Sequence, residues 1–107
     1  MVYKYRWLNQ ALDDFVGVIG YVLYEFGEKA ARKAESAIHE RVLQLCSFPH
    51  LGINYEGLQY QGNEVRIIHI KQVSLIYSLK DEMITLIALW NNRRDIKELK
   101  AMIQSRQ

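Results

Sequence analysis

The chain has 107 residues, 50% of them hydrophobic and 24% charged, with a net charge of +2. That length supports one domain with a real core, two independent domains would each be marginal, and the composition is too apolar for intrinsic disorder. Residues 1–63 carry six Lys/Arg against seven Asp/Glu and residues 64–107 carry eight against five. The second half is the basic one, which permits an anionic partner, nucleic acid or an acidic protein segment, without demanding it.

The lone cysteine, Cys46, excludes an intramolecular disulfide and a cysteine-based metal set, which favours a reducing cytosol. No basic-then-apolar signal segment is visible at the N-terminus, and no apolar run is long enough to cross a bilayer. A soluble cytoplasmic protein without membrane contact is the expectation.

The opening VYKYRW, residues 2–7, alternates aromatic and β-branched residues with charges and predicts a short strand. From Asn9 the period changes: Ala11, Phe15, Val18, Val22 and Phe26 form one apolar helical stripe, with Asn9 as N-cap, Asp13 and Asp14 in the early turns, and Gly27 as the break. Ala30, Ala34, Ile38, Val42 and Leu45 predict a second helix ending before Pro49. Its small early residues suit close approach within a helical hairpin. Gly17 and Gly20 inside the first helix each cost roughly 1 kcal/mol relative to alanine, so close packing against a neighbour is expected there.

The stretch FPHLGINYEGLQYQGN holds the only proline and three of the six glycines, and reads as the main irregular connection. Three strand-like runs follow, EVRIIHI, VSLIYSL and MITLIALW, with short separators that predict an antiparallel meander. The third is apolar on both faces, with Met83, Ile87 and Leu89 on one and Ile84, Leu86, Ala88 and Trp90 on the other, so it belongs inside a sheet covered on both sides. Ile96, Leu99, Met102 and Ile103 predict a short amphipathic helix with Lys97, Glu98, Lys100 and Arg106 facing solvent. The resulting fold class is α+β, in the order β-α-α-β-β-β-α, with a helical hairpin packed on a twisted antiparallel sheet.

His39, His50 and His69 share no ligand spacing, and neither a phosphate-binding glycine loop nor a nucleophile elbow occurs. No metal or cofactor is expected. What remains is a basic and aromatic set: Arg66, His69, Lys71, Tyr77, Trp90, Arg93 and Arg94. Metal-independent RNA cleavage needs a base, cations to stabilise the phosphorane and an acid for the leaving oxygen, and this set contains such groups. Strand alternation nevertheless puts Arg66 and His69 on opposite faces, and Arg66, Lys71 and Tyr77 read equally as edge charges and core. In NNRRD, Asn92 or Asp95 suits the N-cap of the last helix, while Arg93 and Arg94 form either a solvated turn or a contact for an anion or acidic peptide.

In the order of these motifs, YVLYEFGEKAA, LCSFPHLG, GNEVRIIHI with Arg66, VSLIYSL with Tyr77 and ITLIALWNNRRD, the chain over residues 2–103 resembles the RelE/ParE superfamily of type II toxin–antitoxin toxins, often labelled plasmid stabilisation proteins. The resemblance implies a growth-arresting toxin neutralised by a cognate antitoxin in a hetero-oligomer. RelE-like members are ribosome-dependent mRNA endoribonucleases, whereas ParE-like members poison DNA gyrase. Arg66 stands at the family's strand arginine, Tyr77 at the aromatic of its IY pattern, and Arg93 or Arg94 at its basic residue after the last strand. Ser74 stands where ribonuclease members place a phosphate-contacting arginine, and Asn91 where many members have histidine.

Losing that arginine removes charge-assisted stabilisation of the transition state. That counts against ribonuclease activity, and the final RRD resembles the ParE-like branch more closely, so the resemblance is nearer that branch, with Trp90, Asn91, Arg93 and Arg94 as target-binding residues. The alternatives are an endoribonuclease, in which Arg66 and Tyr77 would be catalytic, and a non-toxic remnant that only binds an antitoxin.

Overall fold

The structure is a computed structural model, and it describes residues 2–92 and 95–107 apart from the side chain of Ile96. The chain order is β1 (Lys4–Trp7), α1 (Asn9–Phe26), α2 (Glu28–Ser47), β2 (Ile53–Tyr60), β3 (Asn63–Ile70), β4 (Val73–Lys80), β5 (Met83–Asn91) and α3 (Ile96–Ser105). This is the expected α+β fold with one further strand. β2 lies in the stretch read as an irregular connection, and it escapes the alternation rule because it pairs with β3 only at its two ends, with a register shift between Asn54 and Gln59 and Gly57 at φ 86° between them.

The five strands form one sheet in the order β1-β5-β4-β3-β2. The meander is antiparallel as expected, but β1 pairs with β5 in parallel, so the sheet is mixed rather than purely antiparallel. A chain that leaves β1 into a helical hairpin and returns through four further strands, the last of them beside β1, can meet it in that direction without a tight turn.

Helices cover both faces. On one, Ile38, Val42 and Leu45 of α2 meet Ile68, Leu75 and Leu86 of the sheet; on the other, Leu99 and Ile103 of α3 meet Val65, Ile76 and Ile87. β5 lies between the two layers and is buried from Ile84 to Trp90, which accounts for its unbroken apolar run. Its two faces are not the alternating sets expected. Ile76 pairs with Ala88 but Tyr77 pairs with Leu86, leaving Ile87 as an extra residue. Beyond this bulge the parity reverses: Leu89 joins Ile84 and Leu86 on the hairpin side, while Ile87, Ala88 and Trp90 share the α3 side.

The helix ends also differ in part from expectation. Leu8, not Asn9, holds the N-cap position of α1, and no side chain caps it. Asp95 caps α3, accepting from the Lys97 N–H at 2.9 Å. Gly27 joins α1 to α2 at φ 92°, a conformation that favours glycine.

Candidate functional site

Arg66 and Tyr77 face each other across β3 and β4, and both reach the loop that joins α2 to β2. The Tyr77 hydroxyl donates to the Pro49 carbonyl at 2.8 Å and accepts from the Gly52 N–H at 2.9 Å. Arg66 Nη1 donates to the carbonyls of Gly52 at 2.7 Å and His50 at 3.2 Å, while Nη2 pairs with Glu64 at 3.2 Å. The loop has little choice of residue here. A Cβ on Gly52 would lie 2.6 Å from the Tyr77 hydroxyl oxygen.

Tyr77 is fully buried. Burial pushes its hydroxyl above the ordinary tyrosine range, with the Gly52 N–H and the Arg66 charge partly opposing the shift. The hydroxyl therefore stays protonated at neutral pH and holds the loop as a donor. The two residues named as catalytic in the nuclease alternative thus meet, and together they clamp backbone.

The opposite face carries a second polar cluster. His69, Ser74 and Trp90 stand in register across three strands. His69 Nδ1 lies 2.6 Å from the Ser74 hydroxyl, which donates to the Asn92 side-chain carbonyl. Because an amide oxygen only accepts, the Ser74 proton is committed to Asn92 and the histidine nitrogen must be the donor in its own contact. This is the reverse of a serine activated by a histidine base. Arg66 and His69 lie on opposite faces of the sheet, as strand alternation predicts. Burial also raises the Cys46 thiol, which leaves it an unreactive core group. Among the described residues no three metal-ligating side chains cluster.

Among the residues named for target contact, Trp90 is buried in the α3-side core and Asn91 is exposed at the end of β5. Arg93 and Arg94 lie outside the described residues. Asn92 does not cap α3; its amide donates to the Lys71 carbonyl at 3.3 Å and ties the β3–β4 turn to the end of β5.

A groove of about 600 Å³ lies between the helical hairpin and the ends of β3, β4 and β5. Gly17, Ala30, Ala34, Val73 and Leu89 give it an apolar lining, Tyr21 and Phe26 stand at one side, and Asp13, Lys33 and Lys71 supply charges. Small residues expected to seat one helix against the other, Gly17, Ala30 and Ala34, thus line an open surface. Around Gly17 and Gly20 a Cβ would meet nothing within 4 Å, so the close packing expected at these glycines is not made among the described residues. Sequence reasoning also missed Asp14 and Arg106, which pair at 2.6 Å beside the groove's β5 wall. They are far apart in the chain, and neither forms part of a recognisable motif.

A profile of the ParE toxin of the type II toxin–antitoxin system parDE matches residues 5–96. Among solved structures, the chain is similar to one described as the chromosomal ParDE TA system from P. aeruginosa, with a TM-score of 0.68 at 20% identity, covering 84% of this chain and 96% of that one. At that identity the likeness speaks for the fold. No curated protein matches.

Proposed function

The chain belongs to the ParE toxin family of type II toxin–antitoxin systems, and from that premise we propose that it arrests bacterial growth by binding and inhibiting DNA gyrase. In this reading it is a single toxin domain acting in the cytoplasm, and a cognate antitoxin neutralises it within a hetero-oligomer. The observation that supports binding over catalysis is the commitment of the would-be catalytic groups. Arg66 and Tyr77 hold the backbone of residues 49–52, and Ser74, at the position where nuclease members place an arginine, is 3% exposed and bonded on both sides. The Arg66 guanidinium, bonded to loop carbonyls and Glu64, is not free to stabilise a phosphorane.

The groove supports the antitoxin half of the reading. An apolar lining built from small residues, with charges of both signs beside it, suits an amphipathic helix laid in lengthwise. The antitoxin segment would supply large apolar side chains against Gly17 and Ala34, with acidic groups near Lys33 and Lys71.

Induction without antitoxin in cells carrying a DNA-damage reporter, together with a supercoiling assay on purified gyrase, tests the target. Growth arrest with a rising reporter and lost supercoiling is expected. Arrest with a silent reporter, active gyrase and cleaved messenger RNA would overturn the gyrase assignment in favour of the nuclease alternative. Ala34→Trp, which fills the groove, should abolish neutralisation by the antitoxin while toxicity persists.

A further inference from the structure

The loop clamped by Arg66 and Tyr77, together with the first residue of β2, displays three large apolar side chains: Phe48 at 62%, Leu51 at 45% and Ile53 at 70% exposure. Exposed apolar residues on a mobile loop would be unremarkable, but this loop is held rigid. Four side-chain hydrogen bonds from two residues fix the backbone of Pro49, His50 and Gly52, and the Leu51 N–H closes a turn onto the Phe48 carbonyl at 3.1 Å. Gly52 lies against the Tyr77 ring, where no larger residue fits. A segment ordered in advance loses little entropy on association, and apolar anchors on such a segment are what bury well in a partner's pocket.

We propose that Phe48, Leu51 and Ile53 form a preformed knuckle that inserts into an uncharged apolar pocket on the toxin's protein target. This rests on the reading that the toxin acts by binding a protein. The charge pattern selects that occupant. Between Arg41 and Glu56 the chain has no Lys, Arg, Asp or Glu, whereas nucleic acid or an anionic membrane surface would require cations at the contact. His50 on the loop faces Glu64 at 3.9 Å, and Glu64 pairs with Arg66 beneath it at 3.2 Å.

Position separates the knuckle from the antitoxin groove. Ala34, in the groove, and Ser47, beside the knuckle, stand on one helix roughly 20 Å apart along its axis at 1.5 Å per residue. The two surfaces can therefore be tested independently.

The test uses the full chain carrying F48S and I53T, purified from its antitoxin complex, with L51S as a second, single-site variant should the first melt at lower temperature. Gyrase inhibition should weaken at least tenfold and growth arrest on induction should be lost. Antitoxin affinity should stay within twofold of the unsubstituted chain, with unchanged melting and sedimentation. Undiminished inhibition and arrest would overturn the proposal. So would a matching loss of antitoxin affinity, which would make the knuckle an antitoxin epitope, or a change in sedimentation, which would make it a contact between two copies of the chain. If the unsubstituted toxin arrests growth while gyrase stays active, the gyrase assignment falls and growth arrest by the variant alone decides on the knuckle.

Discussion

Asp14 on α1 and Arg106 just beyond α3 meet across the edge of β5, with Nη1 to Oδ2 at 2.6 Å and Nη2 to Oδ1 at 3.2 Å. β1 pairs with β5 only as far as Leu86, so the next backbone groups on that edge lack a strand partner. Arg106 donates to the Ile87 carbonyl at 2.8 Å and Asp14 accepts from the Leu89 N–H at 3.2 Å. The ion pair thus completes the ladder at the bulge and joins the helical layers on the two faces of the sheet. Arg106, expected in solvent, has a side chain only 15% exposed.

Arg106→Ala should destabilise the fold by about 2–4 kcal/mol, because it strands both the Ile87 carbonyl and the Asp14 carboxylate in a poorly hydrated place. Urea unfolding measures this directly. An unchanged midpoint would mean that water replaces the guanidinium without cost. Arg106→Lys should recover part of the loss, since one ammonium cannot hold the carboxylate and the carbonyl in the same fork geometry.

Tyr77→Phe should cost about 1–3 kcal/mol at neutral pH by leaving the Pro49 carbonyl and Gly52 N–H without their partner. It should also alter the alkaline limb of stability. Burial raises the folded-state value above the ordinary 10.0, so the folded chain holds this proton more tightly than the unfolded chain. The associated stability is whole below pH 10 and falls as pH rises through the folded-state value. Melting curves taken from neutral pH to beyond pH 10 should fall more steeply for the native chain than for Tyr77→Phe; parallel curves would remove Tyr77 from the alkaline transition.

Gly17→Ala and Gly20→Ala should each stabilise the free toxin by about 0.5–1 kcal/mol, since each added methyl meets open space and lowers the entropy of the unfolded chain. Only Gly17 lines the groove. Antitoxin binding should therefore weaken for Gly17→Ala and hold for Gly20→Ala, as read by calorimetry. Equal affinities for the two variants would argue against a helix seated on the groove at Gly17.

Much of this architecture is legible from local pattern. The stripes of α1 and α2, the β3–β4–β5 meander, the double-sided burial of β5 and the Asp95 cap all follow from spacing of three and four, from spacing of two, or from a residue's own hydrogen-bonding habit. What escaped depends on partners distant in sequence. β2 is a strand because β3 pairs with its ends, although its middle breaks the pattern. The β5 bulge moves Leu89 to the other face. The groove arises where two helices and three strand ends leave a gap, which no single element encodes. Tyr77 was visible as an aromatic on a strand, but its role depends on Pro49 and Gly52 folding back beneath it.

The parallel pairing of β1 with β5 also has a consequence for the order of assembly. β1 is made well before its strand partner β5, and a contact of such long sequence separation forms slowly. Until β5 has left the ribosome, the hairpin-side core lacks Ile84, Leu86 and Leu89 and the groove lacks its Leu89 and Asn91 wall. The hairpin-side core can therefore close only once β5 has emerged, so a chain cut before Met83 should not reach the folded state.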